Sequence, residues 1–232
     1  MKYKYIVLLT LAFVSCAELQ QVVNNLPSGA VTETEMASGL KQALELGVLE
    51  GVSLLNKEDG YFKDEAVKIL LPEELKKVDG ALRKIGLSGL ADEGLKVLNR
   101  AAEDAVSEAK PIFVGAIKEF TFADAKRILT ATNDLEATNY LQTKTVTQLS
   151  TAFAPKVSTS LDRVGANAVW ERLITKYNSL PLVKPVNPNL TAYVTEQAIK
   201  GLFVKVGNKE KEIRNSVGAR TTALLQRVFA LQ

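Results

Sequence analysis

The sequence predicts an all-α fold: roughly eight to ten helices packed as one orthogonal bundle, ridges set into grooves. Three observations carry that expectation. Apolar residues recur at three- and four-residue spacing through most of the chain from Thr32 onward. Helix-start patterns punctuate it, Thr32 with Glu35 and Thr121 with Asp124. Alternating, strand-like runs are nearly absent. The 232 residues suffice to bury a hydrophobic core, and the single cysteine excludes an internal disulfide.

That cysteine belongs to the first element. Lys2 and Lys4 precede Ile6–Val14, a run of nine residues that is polar only at Thr10. A basic start, a short apolar stretch and the small Ser15 make a secretory signal. Nine residues are too few to span a bilayer, which takes about 20. Cys16 follows directly, as "FVSC". This resembles the bacterial lipobox, where the chain is cut before a diacylated cysteine, although Phe13 replaces the usual Leu or Val. The plain alternative is an ordinary signal peptide with an incidental cysteine. The expected organisation is a signal peptide over 1–15, a lipidated N-terminus and tether over 16–30, and an all-helical domain over 31–232. The partner so implied is a membrane, reached through lipidated Cys16. Ala17 in place of Asp resembles sorting to the outer membrane, with the domain facing the periplasm. Removing residues 1–15 takes away two lysines, so the mature charge falls from +3 to +1.

In the domain, Thr32 and Glu35 form a capping box before a stripe of Met36, Leu40, Leu44, Val48, Val52 and Leu55. Gly39, Ala43, Gly47 and Gly51 stand four apart on one ridge, which suits close approach of another helix. "NKEDGYFKD" is a turn on Asp59-Gly60, and it lacks the oxygen ligands of a calcium loop. "AVKILLP" reads as a short extended piece, after which Pro72 opens a helix that Gly86 ends. Ala91–Phe120 is helical, with a kink or break expected before Pro111. Thr121 caps "FADAKRILT" through Asp124 at the third position. "LEATNYLQ" follows, then a helix over Thr145–Ala154 that Pro155 is expected to stop. "PKVSTSLDRVG" and "ANAVWERLITKYNSL" are amphipathic. "PLVKPVNP", with three prolines in eight residues, is an exposed linker or a strap across the bundle. Two further stripes close the chain, Ile199 to Ile213 and Leu224 to Phe229.

Composition narrows the chemistry. There is no histidine, which removes Ser-His-Asp and Cys-His nucleophiles and every His-ligated metal site. No phosphate loop or nucleophile elbow occurs. No cofactor or metal site is expected, and near-neutral charge gives no argument for nucleic acid. Residues 31–65 hold eight acids and three lysines, and residues 199–232 hold seven bases and two acids. These segments are two solvated faces or two ends that dock; the functional alternative is a basic surface for an anionic lipid or polymer. Asn99, Arg100 and Glu103 form a polar cluster beside an alanine-rich face. It reads as a surface ion pair or as part of a ligand site. Lys110, Asp124, Arg214 and Arg220 complete the candidate binding set. Trp170 and Tyr177, seven apart, read as core or interface residues.

The segment "LNRAAEDAVSEAKPIFVGAIKEFTFADAKRIL" is similar to the most characteristic stretch of a bacterial family of unknown function, domain of unknown function number 4197. "GLKQALELGV", "DGYFKDEAVKILLP", "EATNYLQTKT", "YNSLPLV", "YVTEQAIKGLF", "EKEIRN" and "ARTTALLQRVF" extend the resemblance over about Glu35 to Phe229. Thr130 stands where the family carries glycine. The resemblance implies a secreted or lipidated envelope protein of Gram-negative bacteria and supplies no catalytic residues. The leading expectation is a non-enzymatic lipoprotein whose helices bind a small apolar ligand or an envelope protein. A scaffold that self-associates or holds a partner through an exposed apolar patch ranks second. A carboxylate-dependent hydrolase of an envelope polymer or ester, using groups such as Glu103 and Asp124, ranks third.

Overall fold

The computed structural model describes residues 30–73, 76, 80, 83–84, 86 and 88–231. The expected signal peptide, Cys16, the tether up to residue 29 and most of the helix expected over 72–86 lie outside the described residues. The described elements are α1 (Glu33–Leu55), α2 (Ser88–Ala105), a 3-10 turn (Val106–Glu108), α3 (Ala109–Lys118), α4 (Phe122–Thr130), α5 (Glu136–Arg163), α6 (Ala166–Asn178), α7 (Leu190–Asn215), a second 3-10 turn (Val217–Ala219) and α8 (Ala223–Phe229). The fold is all-α, and no described residue is in a strand.

The long helices form the frame: α7 packs on α1 and α5, α5 on α2, and α8 on α1. One continuous core runs from Leu40 to Phe229, with Tyr61, Phe113 and Phe153 its largest fully enclosed side chains. Among the described residues, Val31 is the first whose side chain packs on it. A chain starting at Ala30 therefore holds the whole of the core formed by the described residues, which is what independent folding requires.

The glycine ridge of α1 faces α7 and α8. A Cβ at Gly39 would stand 2.6 Å from Val228 Cγ2, whereas one at Gly47 would meet nothing nearer than 3.8 Å. The two sites therefore predict opposite outcomes. Alanine gains about 1 kcal/mol of helix propensity at either. At Gly39 that gain is outweighed by overpacking of about 1–3 kcal/mol. Gly39→Ala is expected to lower the urea midpoint, and Gly47→Ala to hold or raise it.

Both capping boxes form. The Thr32 hydroxyl accepts from Glu35 N at 3.2 Å, and the Glu35 carboxylate accepts from Thr32 N at 2.9 Å. Thr121 and Asp124 repeat this at 3.2 and 3.0 Å. The backbone and hydroxyl bonds from Thr32 hold the Glu35 carboxyl below its ordinary pKa. At Asp124 burial pushes the pKa up, but the bonds from Thr121 and the nearby Arg127 outweigh it, so the result is again downward. A depressed folded-state pKa means that the stabilisation is present above the unfolded pKa and is lost as pH falls through the folded one. The amide resonances of Glu35 and Asp124 are thus expected to shift in acid, below the ordinary carboxylate range. The Ala192 amide, bonded at 2.9 Å to the neutral cap Asn189, should not follow.

Two proline expectations part company. The break before Pro111 is present: the 3-10 turn intervenes and Pro111 sits in the first turn of α3, where its missing N–H costs nothing. Pro155 does not stop its helix. It lies inside α5, which is continuous from Glu136 to Arg163. Pro155 is on the exposed side, while Leu149, Phe153, Val157 and Leu161 keep their spacing across it and are fully buried. Four such side chains at about 1.5–3 kcal/mol each outweigh an interior proline at about 3. Thr130 ends α4 with its hydroxyl on the Lys126 carbonyl at 2.9 Å. Gly86, with φ 84°, has the left-handed backbone expected of a residue that ends a helix.

The segment read as extended, 66–72, is a turn followed by irregular chain with no strand partner. The proline-rich linker is a strap held to α6: Val186 is buried, and the Asn178 side chain bonds both its N–H, at 2.8 Å, and its carbonyl, at 2.7 Å. Trp170 is buried beneath it, donates to the Asn187 carbonyl at 3.3 Å and stacks on Tyr193.

Candidate functional site

The structure gathers five of the seven sequence-derived residues, all but Lys110 and Asp124, into two polar centres. The first fastens the 56–72 segment to α2. Asn99 is fully buried; its Oδ1 accepts from Ile69 N at 2.8 Å, and its Nδ2 donates to Ile69 O at 2.9 Å and Leu95 O at 2.7 Å. One turn on, Glu103 Oε1 accepts from Tyr61 N at 3.0 Å and Phe62 N at 3.3 Å. Its Oε2 receives the Arg100 guanidinium, which also reaches Glu58 at 2.7 Å and Asp59 at 2.9 Å. Burial pulls the Arg100 pKa down, but these three carboxylates overcome it and hold it above its ordinary value. Tyr61 inserts between α2 and α7, and its hydroxyl donates to Ala198 O at 2.7 Å. Burial first, and then the Glu103 charge, push that phenol upward. Ala101, Ala102 and Ala105 lie in the core rather than along a binding face.

The second centre joins α4, α5 and α7. Glu210 caps the start of α5, accepting from Ala137 N at 2.9 Å and from Thr138 N and Oγ1 at 2.7 Å each. Arg214, one turn on, donates to Glu210 through Nε at 3.0 Å and to the Ile128 carbonyl at 3.1 Å. The pair is almost wholly enclosed, with side-chain exposures of 4% and 9%. Arg220 then donates to the Ile213 and Arg214 carbonyls at 3.0 and 2.9 Å and lies over the Phe229 ring. Arg214 and Arg220 are thus together, while Asn99, Arg100 and Glu103 form the other group. Lys110 stands exposed in the first turn of α3, and Asp124 is held in its capping box.

The oppositely charged chain ends dock. Lys209 meets Glu50 at 2.9 Å, Arg227 meets Glu35 at 2.8 Å, and Lys205 pairs with Asp64.

Beside Arg214, between α1 and α7, is a small apolar cavity of about 20 Å³, lined by Leu44, Gly47, Val206 and Phe229 among others. That is room for about one water. Surface clefts flank Arg100. One of about 350 Å³ runs between α2 and the end of α5, past Lys96, Asp104 and Arg163. Another, of about 360 Å³, lies over Glu58 and Glu103, and Asp124 is not among its lining residues.

Sequence reasoning missed Glu210, Thr138 and the Tyr61 insertion. Glu210 and Arg214 stand i,i+4, a spacing that marks a helical ion pair. Its burial follows from the neighbouring Val206, Gly207 and Ile213, all buried.

The fold and these centres define a class: an all-helical domain whose buried polar groups clasp its loops and helix ends. The particular family follows from comparison. The chain matches the model described as "Protein of unknown function (DUF4197)" over residues 30–230, and it belongs to that family. No curated protein and no solved structure matches it.

Proposed function

We propose that the protein is a lipid-anchored component of the bacterial envelope, held through Cys16, and that its helical domain is a non-enzymatic binding module for an envelope partner. The same reading takes the helices, including the one expected over 72–86, as one orthogonal bundle on a tether, with the outer membrane facing the periplasm as its address. The observation that carries it is how the chemically able groups are used. Glu103, Asp124 and Arg214 are each committed to hydrogen bonds that hold the fold. A hydrolase acting through Glu103 would have to release Tyr61, Phe62 and Arg100 first. A ligand pocket takes about 300–1,000 Å³; the enclosed cavity holds about 20 Å³, and the two clefts of that size beside Arg100 lie open at the surface, which favours a partner held at the surface over an apolar ligand enclosed between the helices.

Mass spectrometry tests both halves. Protein extracted from membranes is expected to begin at Cys16 and to carry a diacylglyceryl group. A chain that retains residues 1–15, or a free Cys16 thiol, would sink the anchor. Native spectra of residues 17–232 are expected to contain no bound small molecule. A co-purifying lipid or metabolite would reverse the preference for a surface partner.

A further inference from the structure

The outward side of α6 is unusual for a helix in a packed domain. Trp170 and Ile174 turn inward and are buried. Val169 and Leu173, one turn apart, and Leu180, just past the end of the helix, are 57%, 52% and 53% exposed. Leu182 follows at 106% exposure, projected by a left-handed backbone with φ 64°. Helical periodicity puts Arg172 and Lys176, also exposed, in the strip beside the Val169–Leu173 stripe, away from the core. Among the described residues neither makes an ion pair. Glu171 falls on the opposite flank, in a groove with Asn167 and Asn189.

We propose that this face, from Val169 to Leu182, docks on the surface of an anionic phospholipid bilayer. Apolar side chains beside a basic strip are the pattern of helices that lie in a membrane interface. Lys and Arg near such a surface draw on its negative potential. The stripe protrudes, ending on Leu182, and so suits insertion among headgroups. Pairing two copies of this face would bring its cations together with no acid on it to receive them. The proposal deepens the envelope reading and in part rests on it. A chain anchored at Cys16 keeps the domain close to lipid, since residues 16–30 span at most about 50 Å.

The test uses residues 30–232, which contain the whole core of the described residues, and needs no anchor. The fragment is floated with vesicles of phosphatidylcholine alone or mixed with phosphatidylglycerol. Binding to the mixed vesicles, weakened by salt, is expected. Arg172→Glu with Lys176→Glu should lower that affinity about tenfold or more. Leu173→Glu with Leu182→Glu should do the same, and the helical circular dichroism of both variants should match that of the parent. Absence of binding by a folded parent would overturn the proposal, and so would equal binding by parent and variants. A parent dimer that the leucine variant converts to monomer would overturn it in favour of a second copy. None of these outcomes bears on the mass at Cys16, so failure of the surface and failure of the anchor are read separately.

Discussion

Replacing Arg214 with methionine is expected to destabilise the domain by about 3–5 kcal/mol, the cost of leaving one member of a buried ion pair alone. The partner left behind is Glu210, which would keep its bonds to Ala137 N and Thr138 N but lose its countercharge. The Ile128 carbonyl at the end of α4 would lose a donor as well. Urea unfolding measures the loss directly. Glu210→Gln combined with Arg214→Met should cost less than the sum of the two single changes, because removing both charges also removes the burden of burying either one. Strict additivity would mean that the pair is not coupled. A loss below about 1 kcal/mol would place it with ordinary surface pairs.

Asn99→Leu is expected to cost about 2–6 kcal/mol, in a different place. Leucine fills similar space but cannot bond, so the buried Ile69 would keep an N–H and a carbonyl without their partner, at about 1–3 kcal/mol each. The damage should concentrate in 56–72, the segment that Asn99 and Glu103 fasten. Hydrogen exchange at the Ile69 amide and cleavage by a protease within that segment should both accelerate by more than exchange in the middle of α5 does. Uniform acceleration across the domain would show that the clasp is part of the global unfolding unit.

The elements that were legible in the sequence share a cause. Thr32 with Glu35 and Thr121 with Asp124 are local devices, complete within four residues, so their geometry follows from composition alone. The ridge at Gly39 was legible for a related reason, since four-residue spacing is a property of one helix. Docking of the charged ends stood among the sequence readings and is present as the pairs Lys209–Glu50 and Arg227–Glu35. What was not legible depends on distant partners. Pro155 reads as a stop until Leu149, Phe153, Val157 and Leu161 are seen buried on both sides of it. Glu103 reads as a surface acid until the Tyr61 and Phe62 amides arrive from 42 and 41 residues away. Glu210 is a partner for Arg214 in the sequence, but its second task, capping α5, joins residues 73 and 72 positions apart.

The packing of α8 on α1 has a temporal meaning. Arg227 and Glu35 are 192 residues apart, and Val228 closes over Gly39 in the same place. Contacts of such long range close late, since the loop between them must be ordered first. On the nascent chain α1 therefore stays open along its Gly39 ridge until α8 arrives. During that interval the chain offers an apolar groove to any holding factor, and a nonsense codon before Arg227 would make the interval permanent.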